Sequence, residues 1–294
     1  MREKLSTGYF AKIFKDLFLY GLLPPIRESL FDENVFGHPI NRKIQQLIGK
    51  SFKLTRFQFV HERVPDLQPG VSNFSWIPIN ENIEGIEEIA LPEEILYRLV
   101  EKAKHRVIVN FCPCRVAMKC RNHPSDLGCL HMGESALKIP RRSRREVGVE
   151  DAKAHIRKAV NSGLVPIAGK VRADNYFAML PDEGKLLSLC FCCDCCCMTR
   201  FTRAVPHEVM DGMQYPLEGL SIEVTDLCVG CGACASNCYI KAIELINGRA
   251  VHGPKCRICG RCVSNCPNNA IKLKHDNDHD INDVIERIGS LVEF

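Results

Sequence analysis

The chain has 294 residues, of which 46% are hydrophobic and 25% are charged. This apolar fraction is enough for one sizeable core or two modest ones, and it excludes a disordered or collagen-like chain. The formal net charge of +4 counts the 18 cysteines as neutral. Cysteines that bind metal as thiolates would change this charge, so the value of +4 is no argument for nucleic-acid binding.

The cysteine content indicates the class of protein. A secreted, disulfide-rich protein would carry a signal peptide, and the N-terminal residues do not show that pattern. In a reducing compartment, so many thiols are typical of metal or iron–sulfur ligation. The chain is therefore predicted to be a cytoplasmic metalloprotein.

Residues 1–90 contain no cysteine and are predicted to be mainly helical. Helix patterns lie at Phe10–Leu23 and at Pro39–Lys50. The first is amphipathic, is interrupted by three charged residues and is shorter than the ~20 residues that a membrane-spanning helix needs. We expect no membrane span, although this stretch offers a peripheral contact with a membrane surface.

Residues 91–215 are predicted to form an α/β domain that is rich in cysteine. Its predicted elements, in chain order, are a helix at Pro92–His105, a strand at Arg106–Phe111, a helix at Glu150–Ser162 that Gly163 ends, and strands at Leu164–Ala168 and Leu186–Phe191. Two of these strands run directly into cysteines. Because the carboxyl ends of strands in an α/β sheet share one edge, we expect the two cysteine groups to meet in space.

Residues 216–275 contain the most specific motif, CVGCGACASNC followed by CRICGRCVSNCP. This is the bacterial ferredoxin spacing C-x₂-C-x₂-C-x₃-C-P, present twice. Zinc sites, the alternative, usually show two C-x₂-C pairs around a longer insert. Tyr239 stands where the first run would carry proline. Ala242–His252 predicts a hairpin around an Asn-Gly turn, and Ile271–Lys274 predicts a further strand.

The double run resembles two-cluster ferredoxins, and this resemblance implies two [4Fe–4S] clusters with crossed ligands. The implied ligands are Cys228, Cys231, Cys234 and Cys266 for cluster 1, and Cys256, Cys259, Cys262 and Cys238 for cluster 2. Residues 276–294 are predicted to end the chain as a helix that Asp280 opens and whose apolar face packs onto the body of the protein.

A second cysteine group has the spacing C-x-C-x₅-C-x₈-C, formed by Cys112, Cys114, Cys120 and Cys129. Four thiols within so short a segment can enclose one metal centre. The candidates are a third [4Fe–4S] cluster, a structural zinc ion, or a redox dithiol at Cys112 and Cys114. The dithiol ranks last because it leaves the other two cysteines without a role.

The third group places six cysteines within eight residues. They are Cys190, Cys192, Cys193, Cys195, Cys196 and Cys197. Adjacent side chains of an extended chain point in different directions, so all six cannot bind one cubane. We expect a subset to bind a further iron–sulfur site near Cys112 and at least one to stay a free thiol; a patch with packing roles only is the alternative.

The three cysteine segments together resemble a family of iron–sulfur proteins from anaerobic archaea and bacteria, described as 4Fe–4S dicluster or ferredoxin-type proteins. Those proteins carry CxCR…C…C and CxCCxCCC segments ahead of a two-cluster ferredoxin domain. FCPCR at Phe111–Arg115, CFCCDCCC at Cys190–Cys197 and the double run match in this order, and Phe191 replaces the usual asparagine. The resemblance implies electron transfer with extra iron–sulfur centres.

Three functions follow from these motifs. The first is a multi-cluster electron-transfer protein that relays single low-potential electrons between a redox donor and a redox acceptor. The second is a reductase whose catalytic centre is an unusual iron–sulfur site on the N-terminal cysteine groups, and the third is an iron–sulfur assembly or metal-sensing protein. The basic run at Arg141–Arg145 lacks interleaved aromatic residues, so no nucleic-acid partner is predicted.

The predicted fold class is therefore α+β. It comprises the mainly helical region 1–90, the N-terminal α/β cysteine-rich domain 91–215, the two-cluster bacterial ferredoxin-like domain 216–275 and the C-terminal helix 276–294.

Overall fold

The computed structural model describes residues 31–62, 64, 67–78, 83–84, 92–178, 180–275 and 281–294. The predicted helix Phe10–Leu23 and the predicted helix start at Asp280 lie outside these residues. None of the helices within the described ranges has the length and apolarity that a bilayer crossing requires.

Helices and strands alternate irregularly along the described residues. The α-helices are α1 (Glu33–Gly37), α2 (Pro39–Ser51), α3 (Gln58–His61), α4 (Pro92–Lys102), α5 (Pro113–Met118), α6 (Val149–Asn161), α7 (Arg172–Phe177), α8 (His207–Asp211), α9 (Ala233–Asn237), α10 (Arg261–Ser264) and α11 (Ile281–Gly289). Short 3₁₀ helices cover Phe52–Arg56, Glu134–Lys138, Arg141–Ser143 and Met198–Ala204.

The strands form two sheets and a separate hairpin. They are β1 (Asn73–Trp76), β2 (Ile83–Glu84), β3 (Arg106–Val109), β4 (Leu130–Met132), β5 (Arg144–Glu146), β6 (Val165–Lys170), β7 (Leu187–Cys192), β8 (Gln214–Tyr215), β9 (Leu220–Val224), β10 (Ile243–Ile246), β11 (Arg249–His252) and β12 (Ile271–His275). The seven-stranded sheet has the order β5-β3-β4-β7-β6-β1-β8, and a second sheet has the order β2-β12-β9. The fold is mixed α+β.

The large sheet is mainly antiparallel, which corrects the expectation of an α/β unit. Among its described neighbours only β1 and β8 run parallel, whereas β3 pairs antiparallel with β4 and β4 pairs antiparallel with β7. The sequence pattern missed β4, a strand of three residues that lies between the two predicted ones. Since β3 and β7 are both antiparallel to β4, they run in the same direction and their carboxyl ends still lie at one edge.

Both faces of the large sheet are covered. In β3, Val107 and Val109 belong to a core that includes Phe31 and Leu180, whereas Ile108 belongs to the larger core on the opposite face. This is the alternation that a pleated strand imposes. Helices α6 and α11 each pack against α4 on the face of the larger core.

The residues before α4 contribute strands as well as helices. β1 pairs with β6 and β8 in the large sheet, and β2 pairs with β12 in the small one. The predicted hairpin is observed as β10 and β11. Asn247 and Gly248, at φ 50° and 75°, form the turn with the two positive φ angles that an Asn-Gly hairpin favours.

The terminal helix packs on the body of the protein, as predicted. Val284, Ile285 and Ile288 are buried. Arg287 fixes the helix by donating hydrogen bonds to Asn73 Oδ1 at 3.0 Å and to Ser75 Oγ at 2.8 Å.

Candidate metal centres

Two cavities in the C-terminal part of the chain are lined by the cysteines of the double run. One is lined by the first three cysteines of the first run and by Cys266, the last of the second. The other is lined by the first three cysteines of the second run and by Cys238, the last of the first. Each cavity thus receives its fourth thiol from the other run, which is the crossed grouping that the sequence resemblance implies. The cluster type stays a prediction.

The two halves around these cavities have matching backbone geometry. Gly232 precedes α9 at φ 78° and Gly260 precedes α10 at φ 79°. The amide of Ala242 donates to Cys238 Sγ at 3.2 Å, and the amide of Ala270 donates to Cys266 Sγ at 3.3 Å. Hydrogen bonds to the sulfurs are among the features by which proteins tune iron–sulfur clusters.

Tyr239, at the position where the motif usually has proline, joins the cysteine loops of the double run to the large sheet. Its ring is 1% exposed and packs edge-on against Trp76 with centroids 4.6 Å apart. Its hydroxyl lies 2.8 Å from Thr199 Oγ1, and Thr199 donates to Cys197 Sγ at 3.2 Å. A chain of contacts therefore runs from Cys238 to Cys197, a link that the sequence pattern did not reveal.

The other ten cysteines divide into two groups, but not into the two groups that the sequence shows. The inner group combines three cysteines of the first segment with three of the second: Cys112, Cys114, Cys129, Cys190, Cys192 and Cys197. The outer group is Cys120, Cys193, Cys195 and Cys196. Cys120 therefore lies with the second segment and not with the three cysteines assigned to its own cluster.

Pairing of the strands explains the inner group. Cys112 and Cys114 follow β3, Cys129 directly precedes β4, and Cys190 and Cys192 lie on β7. Because β3, β4 and β7 are neighbours, these segments converge. Cys192 and Cys197 have their sulfurs 3.2 Å apart.

Hydrogen bonding within the inner group separates the acidities of its thiols. Hydrogen bonding with Cys114 and with Cys192 holds the pKa of Cys197 well below its ordinary value. A hydrogen bond to Cys129, together with burial, raises the pKa of Cys190 well above it. So many close thiols cannot all ionise without a cation, and bound metal would supply the positive charge.

A cavity of about 170 Å³ adjoins the inner group, and all six of its cysteines line it. Most of the remaining lining is apolar, but Asp174, His131 and Gln214 also reach the cavity. Asp174 Oδ2 accepts a 3.4 Å hydrogen bond from Cys190 Sγ, and burial raises the pKa of Asp174 to about 6. Gln214 is fully buried, and its Nε2 has no hydrogen-bond partner among the described residues.

The outer group assembles where two backbone turns meet. Helix α5 ends at Met118, and the left-handed conformation of Lys119 that follows it (φ 49°) directs the chain into Cys120. The other three cysteines lie in the turn that follows β7. All four sulfurs lie within 4.8 Å of one another, and those of Cys120 and Cys195 are 3.5 Å apart.

Arg115 is a buried cation between the two groups. Its side chain is 1% exposed and donates to the backbone carbonyls of Pro124 at 2.7 Å, Phe191 at 2.8 Å and Leu127. Thiolates at Cys112 and Cys129 would supply the opposite charge. The sequence showed Arg115 only as part of a motif and gave no sign of this position.

Comparison with known proteins gives no match: neither protein-family models, nor curated proteins, nor solved structures resemble the chain significantly. The resemblances that the cysteine motifs carry therefore stay interpretations of the sequence. The cysteine groups themselves are compatible with bound metal.

Proposed function

We propose that this chain is a multi-cluster iron–sulfur protein that relays single low-potential electrons to a redox partner. The observation that carries the proposal is the crossed lining of the two C-terminal cavities, each with three cysteines of one run and the fourth of the other. These cysteines would hold two [4Fe–4S] clusters in neighbouring cavities, and such clusters would supply single-electron exchange.

The surface around the first cavity favours an exchange of electrons with another protein. Cys231 is exposed, and Leu227 and Val229 beside it are 60% and 70% exposed. Leu245 and Ile246, on the hairpin that borders the cavity, are exposed as well. A small apolar surface around a redox centre suits the weak, transient contacts of electron-transfer partners.

The inner cysteines supply the other end of the relay. Cys238, a proposed ligand of cluster 2, is followed by Tyr239, which contacts Thr199, and Thr199 contacts Cys197. An iron–sulfur centre on the inner cysteines would therefore adjoin cluster 2. Electrons would enter at cluster 1, pass to cluster 2 and leave through the inner centre, or follow the reverse route.

The test is a redox titration of the full chain, purified without oxygen and followed by EPR spectroscopy. We expect iron and acid-labile sulfide in equal amounts and signals from two [4Fe–4S] clusters plus one further centre. Cys197→Ala should remove only the further signal, and Cys231→Ala should remove only one cluster signal. Protein that contains zinc and no sulfide would overturn the proposal.

A reductase is the second candidate, and the cavity of about 170 Å³ beside the inner cysteines favours it. Its walls suit an apolar substrate with one polar acceptor group, which the unpaired Nε2 of Gln214 would bind while its Oε1 accepts a hydrogen bond from Trp76. Asp174 would donate one proton to that substrate and solvent the second, while iron–sulfur centres held by the cysteines would supply the two electrons one at a time. Oxidation of the reduced protein by small apolar disulfides or quinones, lost in Gln214→Leu, would favour this function over a pure relay.

A further inference from the structure

The geometry points to a separate mononuclear zinc site on the outer group, formed by Cys120, Cys193, Cys195 and Cys196. Their four sulfurs all lie within 4.8 Å of one another. Four thiolates around one zinc ion at about 2.3 Å form a tetrahedron whose corners are about 3.8 Å apart. The 3.5 Å between the sulfurs of Cys120 and Cys195 fits this spacing.

The same distances argue against a cubane on these four residues. In a [4Fe–4S] cluster each thiolate binds its own iron, so the four sulfurs lie further apart than sulfurs that share one ion. The cysteines around the C-terminal cavities are spread in this wider way. Within the described residues, no four of them come as close as the outer group does.

The burial of the outer group is that of a structural site. Cys193 and Cys196 are buried, and Cys120 and Cys195 are partly buried. Four protein ligands leave no open coordination position for a substrate or water. The ion would fasten the end of α5 to the turn after β7 and so hold in place the two segments that carry the inner cysteines.

Cations around the site balance its charge. One Zn²⁺ with four thiolates carries a net charge of −2. Arg200 donates to the carbonyl oxygen of Cys195, and Arg203 donates to that of Asp194 at 3.3 Å. Arg261, from the second ferredoxin-type loop, pairs with the Asp194 carboxylate at 3.2 Å.

His123 lies against this site without being needed as a ligand. It forms a second close set with Asp194 and Cys195, but its Nδ1 lies 3.2 Å from the carbonyl oxygen of Ser162. The four thiolates already complete a tetrahedron, so His123 serves as the matched control for a ligand substitution.

Zinc is the metal that this site favours. A closed set of four thiolates is a common structural zinc site, and ligand sets of this kind bind Zn²⁺ more tightly than Fe²⁺. The inference goes beyond the proposed function, because a zinc ion here exchanges no electrons. It holds whether the inner group carries a relay centre or a catalytic one.

The test measures zinc, iron and acid-labile sulfide in the full chain, produced with zinc in the medium and purified without oxygen. We expect about one zinc per chain. Cys195→Ser and Cys120→Ser should lose that zinc and keep their sulfide, whereas Cys231→Ser should lose the sulfide of one cluster and keep zinc. His123→Ala should keep both.

A measurement on the unaltered protein covers the case in which the serine variants do not fold. X-ray absorption at the zinc edge should show four sulfur neighbours at about 2.3 Å and no iron neighbour. The assignment would be overturned by a nitrogen ligand, by a single iron in place of zinc, or by loss of sulfide in the Cys195→Ser variant.

Discussion

The guanidinium of Arg115 donates from Nη1 to the backbone carbonyl of Phe191 at 2.8 Å, and so ties the segment of the first cysteines to the strand of Cys190 and Cys192. A buried cation that is hydrogen-bonded only to neutral carbonyls is costly unless negative charge lies close by. Metal-bound thiolates at Cys112 and Cys129 would provide that charge.

We predict that Arg115→Gln destabilises the protein by about 3 kcal/mol and lowers the reduction potential of the inner centre, because a cation near a cluster favours its more negative, reduced state. Denaturation and redox titration of the metal-loaded protein measure the two effects. Arg121→Gln, at an exposed position, is the control. If the two variants had the same stability and the same reduction potential of the inner centre, this role of Arg115 would be contradicted.

The crossed lining of the C-terminal cavities makes a second prediction. Cys228→Ala and Cys266→Ala should remove the same EPR signal, since both residues line one cavity. Cys238→Ala should remove the other signal, although Cys238 is close in sequence to Cys228. If Cys228→Ala and Cys238→Ala instead removed the same signal, each run would hold its own cluster and the crossed grouping would be wrong.

Gly128 allows the segment before Cys129 to approach β3. A Cβ atom at this position would lie 2.0 Å from the carbonyl oxygen of Val109 and 2.7 Å from that of Phe111. Backbone atoms cannot yield as a flexible side chain does, so we predict that Gly128→Ala costs more than about 2 kcal/mol. It should also reduce the iron content of the inner centre.

The matched control for this substitution is Gly148→Ala, where no atom lies within 4 Å of the added Cβ. Chemical denaturation and iron content should match the wild type in this variant. A Gly128→Ala protein as stable as Gly148→Ala would mean that the contact with β3 relaxes without cost.

His131 makes the stability of the protein depend on pH. It is buried with Nδ1 at 3.1 Å from Ser188 Oγ, and burial lowers its pKa to about 4. Below the usual histidine pKa of about 6.5, the unfolded chain binds a proton at His131 that the folded chain does not. The contribution of His131 to stability is therefore fully present above that pH and is lost as the pH falls. Between pH 7 and 5.5 the loss in the free energy of unfolding is about 1 kcal/mol.

We predict that His131→Asn removes this part of the pH dependence. Denaturation of the metal-loaded protein at pH 7 and 5.5 measures it, and substitution of the exposed His38 is the control. The interpretation fails if the wild type and His131→Asn lose the same free energy of unfolding over that range.

The sequence by itself determined what is local along the chain. The spacing of the double run indicated the two loops that carry its cysteines. The Asn-Gly pair indicated the hairpin that β10 and β11 form. Amphipathic spacing placed α4 and α6 to within a few residues, because a helix buries one stripe and its period is visible without knowledge of the partner.

Tertiary structure alone decided how the other ten cysteines are grouped. By its position in the sequence, Cys120 belongs to the same group as Cys112. In the structure, the left-handed turn at Lys119 brings it next to Cys195 instead. Cys190 and Cys192 join the first segment because β4 lies between β3 and β7, and its three residues are too few to show a strand period. Ligand groups drawn from distant segments depend on strand pairing, and strand pairing depends on contacts that no local pattern contains.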